Sequence, residues 1–260
     1  MHLSPRPNHL FPRLNKVSEL ARNGRFDILR DEWSKRFHSE SFSFGLRRDM
    51  NKDFKAPEAK IKLHIRPLKA GDGEQILKNS SGNPVDPRII ASQYSLLEQD
   101  MPTCFVAATT DHTPCYMQWL IGPAQNDKLE QHFKGLFPRL KKGEALLEGA
   151  YCSPDYRGQR IMPAAMAQIA EKAESINARW VKTFVDITNI PSLKGCRRSG
   201  FEPYVLRRDR WFLFRRTTSF HSIPEKLIEY YETYTGDKAS RKTESDIPNL
   251  NKKELQPIIS

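Results

Sequence analysis

The stretch Glu148-Gly149-Ala150-Tyr151-Cys152-Ser153-Pro154-Asp155-Tyr156-Arg157-Gly158-Gln159-Arg160-Ile161-Met162 joins a strand to a helix through a short basic turn. Ala145 to Cys152 is an apolar, strand-like run that ends at Pro154. From Gly158 to Ile176, the residues Ile161, Ala165, Ile169 and Ala173 fall four apart. Gln168, Glu171, Lys172 and Ser175 take the other side, so the spacing predicts a helix. Pro163 sits in its first turn, where a missing N–H costs least. Free N–H groups at such a helix start point out of the turn, where the helix dipole is positive. This end suits a pyrophosphate, and Arg157 and Arg160 add positive charge.

Upstream, Ile61, Leu63 and Ile65 alternate with polar residues and predict a half-buried strand. Ala70 to Leu77 and Pro87 to Leu97 read as helices. Cys104 to Ala108 and Cys115 to Ile121 read as a hairpin turned at Asp111 and Pro114. Residues 126–140 read as a helix or an irregular insertion. Downstream come a strand at Trp180 to Val185, a short helix at Ile190 to Ser199 and a stop at Gly200-Phe201. A last hairpin, Phe201 to Leu206 and Trp211 to Phe214, is expected around Arg207–Arg210, and a helix at Ile223 to Tyr234. Early hairpins with one central β–α–β argue for an α/β chain with a mixed sheet, and against a doubly wound nucleotide fold.

Three segments are expected: an extension at 1–59 with a helix over 14–36, a domain at 60–217, and a helix with a mobile tail at 218–260. Ser39 to Lys60, with Gly45, Asp49, Asn51 and Pro57, reads as a linker. The chain has 260 residues, a hydrophobic fraction of 38% and a net charge of +11. Such charge favours anionic partners without choosing among them. Lys194 to Arg216 holds eight of the cations against Glu202 and Asp209; it is either a solvated basic face or a neighbour of a phosphate-bearing ligand. The four cysteines form no CxxC pair and no zinc spacing, which fits a reducing, cytoplasmic setting. No run reaches the 18 or so apolar residues of a membrane span, and no recognition-helix pattern points to nucleic acid.

Pro154-Asp155-Tyr156-Arg157-Gly158 resembles the Pro-x-Tyr-Arg-Gly run of the GNAT N-acetyltransferases. About 30 residues on, Asn189-Ile190-Pro191-Ser192, followed by Ser199-Gly200-Phe201, is similar to the family's second cofactor element. The resemblance covers roughly residues 60–217. It implies the GNAT fold, acetyl-CoA or another acyl-CoA as co-substrate, and transfer to an amine. Arg157, Gly158, Gln159, Arg160, Ile161 and Met162 would wrap the pyrophosphate. Asn189 and Ser192 would touch the pantetheine arm. Ala150 and Cys152 would offer main-chain contacts from a strand splayed away from its neighbour. Arg160 and Met162 stand where the family has small residues, and Arg160 could grip phosphate with its guanidinium instead.

Glu148, a carboxylate inside an apolar strand, is the expected general base, on the same strand parity as Ala150 and Cys152; a salt bridge to an arginine is the alternative. Cys196 occupies the place of the family's acidic tyrosine, where a thiol could donate a proton or simply pack. The acceptor is expected to be the amine of a small molecule or sugar. A protein or peptide amine, or a non-catalytic CoA-binding or basic anion-binding module, are the alternatives. The flanks, 14–59 and 221–260, are expected to shape an acceptor site or a homo-oligomer contact.

Overall fold

The computed structural model describes residues 34–78, 82, 85–99, 101 and 103–236. The helix expected over 14–36 lies outside these except for 34–36, which are helical, and the expected tail beyond residue 236 lies outside them altogether. Of the described residues, 42–207 and 220–236 form one unit, and 34–41 with 208–219 another.

The strands are β1 (His38–Asp49), β2 (His64–Pro67), β3 (Cys104–Ala108), β4 (Pro114–Ile121), β5 (Glu144–Cys152), β6 (Trp180–Asp186), β7 (Glu202–Phe212) and β8 (Arg215–His221). The helices are α1 (Asp72–Leu77), α2 (Pro87–Glu98), α3 (Asn126–Phe133), α4 (Ile161–Glu171), α5 (Ile190–Arg198) and α6 (Glu225–Thr235). The strands form one mixed sheet in the order β2-β3-β4-β5-β6-β1-β7-β8. β5 and β6 are parallel, joined through α4, while β2–β3, β3–β4, β4–β5 and β1–β6 are antiparallel. The α/β mixed-sheet expectation holds.

Two expectations fail. The supposed linker contains β1, which pairs with β6 from Ser43↔Asp186 to Asp49↔Trp180. Phe42, Phe44 and Leu46 alternate with smaller or polar residues and are buried in the core. The serines and Gly45 mask this period of two, but the strand lies inside the sheet. The last hairpin is also displaced. β7 runs unbroken through Arg207–Arg210, and the turn falls at Leu213 and Phe214, at φ 47° and 64°. The charges that looked like a turn are partnered instead. Arg207 donates to Ser43 Oγ at 3.0 Å, and Asp209 accepts from Thr218 Oγ1 at 2.6 Å.

Buried apolar side chains fall into two clusters. One contains Tyr116, Leu147, Ile161, Met166, Leu193 and Phe201, under α4 and α5. The other contains Leu96, Met117, Trp119, Leu146 and Tyr151, with α2. Between the two lies an irregularity in β5. Trp119 pairs with Glu148 and Met117 with Tyr151, so the single intervening residue of β4, Gln118, faces two of β5, Gly149 and Ala150. This is a β-bulge, and Gly149 within it has φ +67°. A Cβ there would stand 2.6 Å from Trp119 Cε3 and 2.8 Å from Leu96 Cδ1. Gly149→Ala combines backbone strain with overpacking and should cost about 2 kcal/mol or more, read as a lower urea midpoint. An unchanged midpoint would show that the bulge tolerates a side chain.

Candidate active site

The site grows from two local features, the bulge in β5 and the turn before α4. Because the bulge adds a residue, strand parity changes across it. Tyr151 joins the α2-side cluster, opposite Met117, whereas Cys152 packs toward the α4-side cluster, opposite Tyr116. The expectation that Glu148, Ala150 and Cys152 share one parity is therefore corrected. Glu148 pairs with Trp119 on the α2 side, and Cys152 lies on the other.

β5 and β6 pair only at Glu144↔Trp180, Ala145↔Val181 and Leu146↔Lys182. Beyond that the two strands separate. A cavity of about 210 Å³ lies there, lined by Leu147, Glu148, Gly149 and Ala150 from β5 and by Thr183, Phe184, Val185 and Asp186 from β6. Gln93, Gln118, Met162, Met166, Asn189, Ser192 and Cys196 complete it. The expected splay is thus present, with one backbone edge of β5 left unpaired by β6.

A second cavity, of about 660 Å³, opens at the start of α4. It is lined by Cys152, Arg157, Gly158, Arg160, Ile161, Met162 and Ser192, among others. Gly158 at φ +77° and Arg160 at φ +58° shape the turn, and the Arg160 side chain makes no capping hydrogen bond to α4. Gln159 is the one expected residue outside either cavity; its carbonyl accepts the Lys60 N–H at 2.9 Å. The cavities meet at Met162 and Ser192, which line both.

Three cations at the second cavity were not among the expected site residues: Lys60, Lys194 and Arg198. Lys194 and Arg198 stand four apart on α5, a spacing visible within the basic run. Among the described residues, no Asp or Glu lines this cavity. Asn189 accepts the Ser192 N–H at 3.2 Å as the N-cap of α5, so its side-chain oxygen is already engaged.

Glu148 keeps partial exposure at the wall of the smaller cavity but lies deep in the protein. Burial raises its pKa to about 7, against the opposing effects of the Gly149 N–H and the Arg207 charge. Cys196 lines the same cavity but is 1% exposed, and its thiol lies 3.8 Å from Met166 Sδ. Burial pushes its pKa up to about 12. A thiol so weakly acidic is poorly suited to protonate a departing thiolate, and its surroundings are those of a packing residue. All four cysteines are free. Among the described residues, no cluster of three or more His, Cys, Asp or Glu could hold a metal, and no helix is long and apolar enough to cross a membrane.

Residues 83–201 match the Acetyltransferase (GNAT) family model. That segment of the chain is thus similar to the GNAT acetyltransferases, and the sheet it contributes to is mixed. Similar solved structures include a GCN5-related N-acetyltransferase from Sphaerobacter thermophilus, at 15% identity and a TM-score of 0.44, covering 71% of this chain and 56% of that one. A GNAT-family acetyltransferase from Colwellia psychrerythraea matches at 12% identity and 0.44, covering 66% and 56%. A GCN5-related glucosamine N-acetyltransferase region of a fungal multi-domain GH3 beta-N-acetylglucosaminidase matches at 13% and 0.49, covering 70% and 22%. The chain thus spans little more than half the length of the first two and about a fifth of the third. A sequence comparison with curated proteins finds no match.

The raised pKa of Glu148 has a consequence for stability. Its folded value of about 7 lies above the ordinary 4.5, so between these values the folded state binds more protons than the unfolded state. The burden of an ionised Glu148 is absent below pH 4.5, grows as pH rises, and is complete above pH 7. Glu148→Gln should therefore be more stable than wild type above pH 7, by on the order of 1–3 kcal/mol. The gap should close toward pH 4.5. Urea titrations at several pH values read this directly, and a pH-independent difference would place the carboxyl in ordinary solvent.

Proposed function

We propose that the protein is an acyl-CoA-dependent N-acyltransferase that moves an acyl group, acetyl in the simplest case, to the amine of a small molecule or sugar. The observation that carries this reading is the junction of two unlike cavities at Met162 and Ser192, one basic and one holding Glu148. The basic cavity has the donor set that phosphates require: the N–H groups at the start of α4, with Arg157, Arg160, Lys194 and Arg198 around them. The free edge of β5 near Ala150 offers main-chain groups to an amide-bearing arm. When bound, the thioester supplies the activated acyl carbon.

Glu148 receives the proton of the acceptor's ammonium, directly or through one water. A base with a pKa of about 7 is half ionised at neutral pH and strong enough to assist. Leu147, Phe184 and Met166 give the cavity apolar wall beside it. Cys196 packs beneath the junction, and the acid role is not assigned to it. Positioning the amine against the acyl carbon supplies much of the remaining rate.

Two measurements test this reading. Acetyl-CoA should bind in calorimetry with an affinity that falls as salt rises, because phosphate pairing is screened. Replacing Arg157 and Arg160 together by Ala should weaken it at least about tenfold, or roughly 1.4 kcal/mol. Unchanged affinity in the folded double variant would move the phosphates away from this turn. For chemistry, wild-type turnover should rise with pH through about 7 and then level. Glu148→Gln should lose at least about a hundredfold in kcat near neutral pH, with acyl-CoA affinity nearly unchanged. Its residual rate should climb at higher pH, following the amine's own deprotonation. Near-normal turnover across that range would remove Glu148 from the mechanism.

A further inference from the structure

α2 buries two residues, Gln93 and Leu96, one turn apart on a single face. That face lies on the β5 bulge, since a Cβ on Gly149 would come within 2.8 Å of Leu96 Cδ1. Leu96 belongs there as core. Gln93 does not: it is 6% exposed, and its Oε1 has no hydrogen-bond partner among the described residues. Gln93 lines the cavity that holds Glu148. A buried amide oxygen without a donor is unfavourable, and a ligand that brings a donor relieves it.

The charges of this cavity point the same way. Among the described residues, its ionisable side chains are Glu148, Asp186 and Cys196, and no Lys, Arg or His lines it. In a chain of net charge +11 this contrasts with the neighbouring cavity, which among the described residues has five cations and no acid. The Asp186 carboxylate is oriented by Thr188, accepting its N–H at 2.8 Å and its hydroxyl at 2.6 Å. Arg207 acts on Glu148 electrostatically but does not line the cavity; it stacks on Phe184 at 5.1 Å and donates to Ser43. An acceptor carrying a carboxylate or phosphate beside its amine would meet two like charges here, with no cation lining the cavity among the described residues to pair with it.

We propose that Gln93 is a specificity-determining residue for the acceptor, its amide oxygen receiving a hydrogen bond from a hydroxyl or amide N–H beside the reacting amine, and that the acceptor bears no anionic group next to that amine. Amino alcohols and unphosphorylated amino sugars have this chemistry; α-amino acids do not. The inference rests on the acyltransferase reading and adds the substrate class to it.

The experiment uses the full chain, acetyl-CoA and matched acceptors: glucosamine against cyclohexylamine, and serinol against serine. Wild type should favour glucosamine over cyclohexylamine, and serinol over serine, each at least about tenfold in kcat/KM. Gln93→Leu should raise KM for glucosamine and serinol about tenfold, leaving KM for acetyl-CoA and for cyclohexylamine unchanged. A packing defect would instead slow all acceptors alike and lower the melting temperature. Should Gln93→Leu fail to fold, Gln93→Asn, which keeps the amide but withdraws it, should show the same selective rise in smaller degree. Equal effects on hydroxylated and plain amines, or serine used as well as serinol, would overturn the inference. Binding of acetyl-CoA without acylation of either hydroxylated amine would overturn it too while leaving the cofactor site standing, whereas absence of acetyl-CoA binding would overturn the acyltransferase reading and this inference together.

Discussion

Three residue pairs hold β5 to β6, and the pairing then stops at Leu146↔Lys182. The closed end is fixed by an ion pair, Lys182 Nζ to Glu144 Oε1 at 2.6 Å, both largely buried. Past it, unpaired main-chain groups are tolerated only where something else satisfies them, and here they border a cavity. That cavity depends on the early end of pairing, as do the exposed edge near Ala150 and the placing of Glu148 opposite β6. The bulge at Gly149 completes the arrangement. It lets Trp119 and Leu96 close against the backbone and changes which face of the sheet the following residues occupy.

The basic excess is sorted by burial and partner, and does not form one patch. Lys194 and Arg198 line the larger cavity. Arg197 turns instead to α6, donating to Glu232 Oε2 at 2.6 Å. Arg207 is 9% exposed and serves the sheet through Ser43. In the other unit, Arg208 pairs with Glu40 at 2.5 Å. Arg48, 5% exposed, donates to the carbonyls of Ala167 and Ser199, with its guanidinium 4.3 Å from the Phe54 ring centroid. These oxygens and rings offset part of the cost of burying the two guanidinium groups of Arg48 and Arg207.

The helix α4 and the turn before it were legible because each signal is local. Apolar residues four apart, a proline in the first turn and basic residues at the start all lie within one short stretch. The same holds for α2, β3, β4 and β6, whose bounds shift by at most a residue or two. Local signals also misled. Serines and Gly45 hid the period of two in β1, and a charged run in β7 looked like a turn because its partners, Ser43 and Thr218, are distant or lie on the next strand.

Sequence alone determined the mixed order of elements, the basic strand–turn–helix and the presence of a carboxylate at position 148. Tertiary structure decided what these residues face. A bulge inserts one residue between two pairings, and no residue type announces where parity will change. Gln93 reads as an ordinary polar residue on an amphipathic helix until α2 is laid on the bulge, and only then does its amide oxygen stand without a partner among the described residues. Likewise Cys196 and Glu148 line the same cavity, yet burial makes one a packing thiol with a pKa of about 12 and the other a carboxyl near 7. Desolvation depends on neighbours far apart in the chain, so it is set by the fold and not by the local sequence.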